Sequence, residues 1–95
     1  MKELKVVVKN KVGLHARPAA LFVQTAAKYK SEIKVTCFDE AEQKERIANA
    51  KSILSVLTLG VFEGMEIVIR ATGEDEERAA QALVDLVNAN FGETE

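Results

Sequence analysis

Ninety-five positions hold one cysteine, one proline and one histidine, and aromatic residues make up 5% of the chain. Each shortage excludes something. With Cys37 alone, no disulfide can close within the chain, which fits a reducing compartment. No apolar run approaches the roughly 18 residues of a membrane-spanning helix. The opening Met1-Lys2-Glu3-Leu4 alternates in polarity where a signal peptide would carry an apolar run. The expectation is a cytoplasmic protein that does not associate with membranes. A net charge of −2 with few aromatics also lacks the footprint of a nucleic-acid binder. No second histidine, cysteine or carboxylate lies close in sequence to His15, so neither a hydrolase triad nor a metal-ligand set is expected there.

What is present is ordinary in amount and uneven in placement. Apolar residues at 47% and charged residues at 29% describe a soluble globular chain. The length suits one small domain over residues 1–95, expected to be a monomer. Residues 1–30 carry seven basic side chains against one acid, whereas residues 74–95 carry seven acids against one arginine. Lys9, Lys11 and Arg17 surround His15, a field that would steer an acidic or phosphorylated partner. The same lysines would also serve as solvated strand and loop ends.

The segment Gly13-Leu14-His15-Ala16-Arg17-Pro18-Ala19-Ala20 contains both the histidine and the proline. Proline suits a first helical turn, where its missing N–H would have had no partner. Glycine just upstream allows a positive φ. His15 then falls at or beside the N-cap, where unpaired N–H groups and the positive dipole end make an anion site. Arg17 adds a permanent planar cation. Phosphoryl transfer asks mainly for positioning and charge stabilisation. A neutral imidazole is a competent nucleophile for that transfer. The combination points to a histidine that carries a phosphoryl group.

Alternation places a strand over 3–9 with Leu4, Val6 and Val8 on one face. A helix is expected over about 16–29, with Lys28 and Lys30 near its negative end. Strands follow at 33–38 and, on a weaker pattern, at 45–50, joined by a polar hairpin connection. A short apolar helix over 52–57 has Ser52 as N-cap. A strand spans 66–72, and a last helix begins near Asp75 and runs through Asn90 to stop at Gly92. Cys37, Tyr29 and the phenylalanines read as packing residues. The order βαββαβα implies an α+β two-layer sandwich, helices covering one face of a mostly antiparallel sheet. It does not choose among sheet orders.

Two separated segments, Gly13-Leu14-His15-Ala16-Arg17-Pro18-Ala19 and Lys51-Ser52-Ile53 with Leu54, Leu57 and Thr58-Leu59-Gly60, carry a family resemblance. Over nearly its full length the chain resembles the HPr family, histidine-containing phosphocarrier proteins of the bacterial phosphoenolpyruvate-dependent sugar phosphotransferase system. The resemblance implies an open-faced β-sandwich, a four-stranded antiparallel sheet ordered 1-4-2-3 and covered on one face by three helices. It implies that His15 accepts phosphate through Nδ1 from enzyme I and passes it to sugar-specific enzyme IIA. Arg17 would contact that phosphate, and the N–H groups of Ala16 and Arg17 would help hold it. Ser52 matches a regulatory serine modified by an ATP-dependent HPr kinase/phosphorylase. Ala20, Ile53, Leu54 and Leu57 match a docking surface, and a catabolite-control transcription factor joins the implied partners. The implied protein is a relay rather than a stand-alone enzyme, with no cofactor and no metal. Two departures stand out: the connection around Asp39 to Arg46 is several residues longer than in common members, and Ser55 replaces a frequent Gly or Lys.

Plainer readings sit beside these. Arg17 alone would be a solvated helix residue, and Ser52 a simple N-cap worth about 1 kcal/mol. Ile53, Leu54 and Leu57 would be core, unless the short helix leaves them exposed as a partner patch. At the level of function, the rival is a regulatory binding module phosphorylated at His15 or Ser52 with no role in sugar uptake. Phosphoryl flow to an enzyme IIA separates the two. A small nucleic-acid-binding α+β domain is a third reading, which would require oligonucleotide binding at low salt.

Overall fold

The computed structural model describes residues 1–93. The strands are β1 (Lys2–Val7), β2 (Glu32–Asp39), β3 (Lys44–Asn49) and β4 (Glu66–Thr72), and the helices are α1 (Ala16–Ala26), α2 (Ile53–Leu57) and α3 (Glu76–Asn88). The four strands form one antiparallel sheet ordered β1-β4-β2-β3. The expected order is therefore the observed one. Period-2 patterning explains each strand: Ile33, Val35 and Cys37 on β2 and Ile67, Ile69 and Ala71 on β4 point into the core. Phe22 of α1 and Leu83 and Val87 of α3 meet them from the helical layer.

The register fixes which ends lie together. Val7 pairs with Glu66, Cys37 with Ile67, and Asp39 with Lys44. One end of the sheet thus gathers the chain leaving β1, the β2–β3 turn and the approach to β4. α1 starts at this end, and α3 starts at the other, after Thr72.

Three expectations need correction. α1 ends at Ala26, short of Tyr29, because its last turn tightens: Lys28 and Tyr29 donate their N–H groups three residues back, to Thr25 and Ala26. Lys28 and Lys30 therefore lie beyond the helix. α3 ends at Asn88 rather than running to Gly92, since Asn90 and Phe91 adopt φ of 52° and 56°. That reversal returns the Phe91 ring to the core. The phenylalanines are also not all packing residues, because Phe38 is 51% and Phe62 64% exposed. Strand bounds shift by one or two residues; Val8 leaves β1 but stays buried, bonded to the β4 approach through Met65 and Gly64. Cys37 is buried as expected, its Sγ facing the Leu59 carbonyl at 3.7 Å. Burial raises its thiol pKa.

Candidate functional site

The site is built from residues 10–17 upward. Asn10 and Gly13 close a turn in which the Gly13 N–H donates to the Asn10 carbonyl at 3.3 Å. The Asn10 Nδ2 donates to the Gly13 carbonyl at 3.0 Å from a fully buried position. Gly13 sits at φ 65°, and a Cβ there would lie 2.3 Å from the Val61 carbonyl oxygen. Only glycine allows that approach. The next residue, Leu14, is buried, and its N–H donates to that same Val61 carbonyl at 3.1 Å. The loop is thereby sealed against the segment that leads into β4.

On this pedestal His15 takes an extended conformation, φ −136° and ψ 156°, as the N-cap of α1. Its imidazole is not used as a cap: the side chain makes no capping hydrogen bond and the residue is exposed. Ala16 follows at φ 50°, a left-handed conformation that costs an alanine about 1–2 kcal/mol. Such strain persists only where the flanking structure enforces it, and it recurs at functional sites. Buried Pro18 and Ala19 then carry the chain into the helix. The N–H groups at this start precede any intrahelical acceptor, and the first turn contains no acidic residue. Arg17 is exposed beside them. The arrangement presents a nucleophilic imidazole, backbone donors and a guanidinium on one helix start, a setting that favours a phosphate-sized anion.

Ser52 caps α2 as expected, its Oγ accepting from the Ser55 N–H at 3.3 Å. The Ser55 hydroxyl in turn accepts from the Asn49 N–H at 2.9 Å, tying the cap to β3. α2 packs against α1. Only Val56 of α2 is buried, so Ile53 at 38%, Leu54 at 75% and Leu57 at 37% stay exposed, with Ala20 of α1 half-buried. Core is thus the wrong reading for Leu54. Among the described residues, no three His, Cys, Asp or Glu side chains lie close enough to hold a metal ion. No helix among them is long and apolar enough to cross a membrane.

The β2–β3 connection is a four-residue turn over 40–43, with Asp39 paired to Arg46 at 2.6 Å. The Glu42 N–H, then the Arg46 guanidinium, hold the Asp39 carboxyl below the usual range. Arg46 also donates to the Thr58 carbonyl at 3.4 Å, linking this turn to the end of α2.

Sequence reasoning missed Asn10. A signal was present, since asparagine at the first and glycine at the fourth position mark a tight turn. What residue types alone could not disclose is that the Asn10 side chain faces inward.

The sheet ordered β1-β4-β2-β3 thus lies under the helices with the chain's one histidine at the start of α1. The family model described as "PTS HPr component phosphorylation site" matches residues 2–89. The phosphocarrier protein HPr of Neisseria meningitidis serogroup A is 40% identical over 95 residues, covering all of both chains. The multiphosphoryl transfer protein of Vibrio cholerae is 43% identical over 86 residues, which span 90% of this chain and 21% of that one. A crystal structure of HPr-C-His from Thermoanaerobacter tengcongensis superposes with a TM-score of 0.86 at 52% identity, over all of both chains. The chain belongs to the HPr family of phosphotransferase-system phosphocarriers.

Proposed function

We propose that this protein is a cytoplasmic phosphoryl relay in which His15 is the carrier, acting as one domain and as a monomer. The His15 Nδ1 attacks phosphorus on phospho-enzyme I; the new N–P bond forms as the bond to the donor breaks. The same group then moves to a sugar-specific enzyme IIA. Arg17 and the N–H groups of Ala16 and Arg17 neutralise charge on the transferring phosphoryl group, the contribution this chemistry most needs. The observation that carries the reading is the start of α1, where an uncapped His15 precedes a left-handed Ala16 and no acid occupies the first turn.

Ser52 is the proposed regulatory phosphosite for an HPr kinase/phosphorylase. A phosphate at that helix start would be tolerated locally, and its charge would oppose an acidic partner on the adjoining apolar face. Ala20, Ile53, Leu54 and Leu57 form that docking face, which would also meet a catabolite-control transcription factor. Support comes from the exposure of Ile53, Leu54 and Leu57 around a buried Val56, with Ala20 half-buried beside them.

Incubation with enzyme I, magnesium and phosphoenolpyruvate, followed by intact mass and acid treatment, tests the reading. One acid-labile phosphate, absent from His15→Ala, is the expected result. No modification by an enzyme I active on other HPr proteins would favour the regulatory module instead.

A further inference from the structure

We propose that Asn10 is a positioning residue for phosphoryl transfer, holding the Gly13 carbonyl inward so that His15 and Ala16 keep their geometry. This deepens the reading of His15 as the acceptor and rests on it. Asn10 is fully buried, and one of its polar atoms, Oδ1, has no hydrogen-bond partner. Its amide orientation is fixed, because the Gly13 carbonyl it faces can only accept. Leucine has a similar branched outline and would remove the orphaned Oδ1, but would leave the Gly13 carbonyl without its Nδ2 donor. What asparagine supplies beyond volume is the N–H on Gly13.

That bond sits where it has most leverage. Glycine is the residue whose backbone turns most freely, and Gly13 is two residues from the imidazole. With the carbonyl clamped and the Leu14 N–H on Val61, the chain enters His15 in one direction. Downstream, buried Pro18 and Ala19 fix the exit. Ala16, at φ 50°, is held in its left-handed conformation between these two anchors. Releasing the upstream anchor lets Ala16 relax to an ordinary φ, which swings the imidazole away from the Ala16 and Arg17 N–H groups.

The test compares Asn10→Leu and Asn10→Ser with wild type and with Asp75→Ala, a destabilised control at the other end of the sheet. Phosphorylation by enzyme I is measured well below each melting temperature, together with the backbone couplings and amide signals of His15 and Ala16. The expected result is a 10- to 100-fold lower kcat with KM for this protein within twofold, because the docking face is untouched. The Ala16 coupling moves toward an averaged value in both Asn10 variants, and Asp75→Ala changes neither readout. Unaltered Ala16 couplings, with kcat within twofold of wild type, would overturn the proposal. If wild type accepts no phosphate, the carrier reading fails separately, and the Ala16 couplings alone still decide whether Asn10 holds this loop.

Discussion

Two helix starts lie at opposite ends of the sheet, and they are finished differently. At the start of α3, Glu76 and Glu77 occupy the first turn; the Gly73 N–H donates to Glu76 at 3.1 Å, and the chain's amino terminus pairs with that carboxylate at 3.0 Å. The Gly73 N–H and then the amino terminus hold the Glu76 carboxyl below its ordinary range. The adjoining Asp75 accepts from the N–H groups of Lys30 and Ser31 at 2.9 and 3.0 Å and from the Ser31 hydroxyl. Every negative charge the helix dipole wants there is supplied by the chain itself. At the start of α1 there is no acid and no side-chain cap. The α3 start is closed by the chain's own acids, whereas the α1 start carries none.

Both ends depend on a glycine pressed against a neighbouring loop, and that sets the largest expected effect. A Cβ on Gly13 would stand 2.3 Å from a backbone oxygen, whereas one on Gly73 would meet the Ser31 Oγ at 2.8 Å and its Cα at 2.9 Å. Gly13→Ala should cost about 2–4 kcal/mol, from overpacking together with left-handed strain. Gly73→Ala should cost less, since its nearest obstruction is a side-chain oxygen at 2.8 Å rather than a backbone oxygen at 2.3 Å. Urea unfolding of both variants gives the ranking; the reverse order would break the account of the His15 pedestal.

Asp75 gives the next effect, seen through pH. The Ser31 hydroxyl, with the Lys30 and Ser31 N–H groups, lowers its pKa from 3.8 to about 2. A depressed carboxylate stabilises the folded state above its unfolded pKa and loses that contribution as pH falls through the folded one. The stability gap between wild type and Asp75→Ala should therefore be complete above about pH 4 and close toward pH 2. A gap unchanged across that window would show that the anchor does not act through its charge.

The smallest effect on stability belongs to the exposed face. Leu54→Glu should leave unfolding within about 0.5 kcal/mol of wild type, as for other surface substitutions, while weakening capture of phosphate from enzyme I. A large loss of stability would make Leu54 a packing residue after all.

The contrast between the two helix starts was partly legible in the sequence. Pro18, Gly13 and Arg17 marked an anion-ready start in the sequence, whereas the closing of the α3 start by Glu76 and its partners emerged only from the structure. Ser52 as the cap of α2 followed from residue type alone. Sheet order did not: local periodicity says nothing of which strands become neighbours, and family resemblance supplied it. The left-handed φ of Ala16 was hidden because alanine is a strong helix former; tertiary anchoring overrides that preference. The same holds for Asn90 and Phe91, where burying one ring reverses a chain that reads as continuous helix.

Amide chemical shifts before and after phosphorylation by enzyme I test the central claim most directly. With phosphate on His15, the largest shifts should fall on the Ala16 and Arg17 N–H groups, and those of Asp75, Glu76 and Glu77 should stay in place. Phosphate on another residue, or shifts that leave Ala16 and Arg17 unmoved, would contradict the assignment of the open helix start as the phosphoryl site.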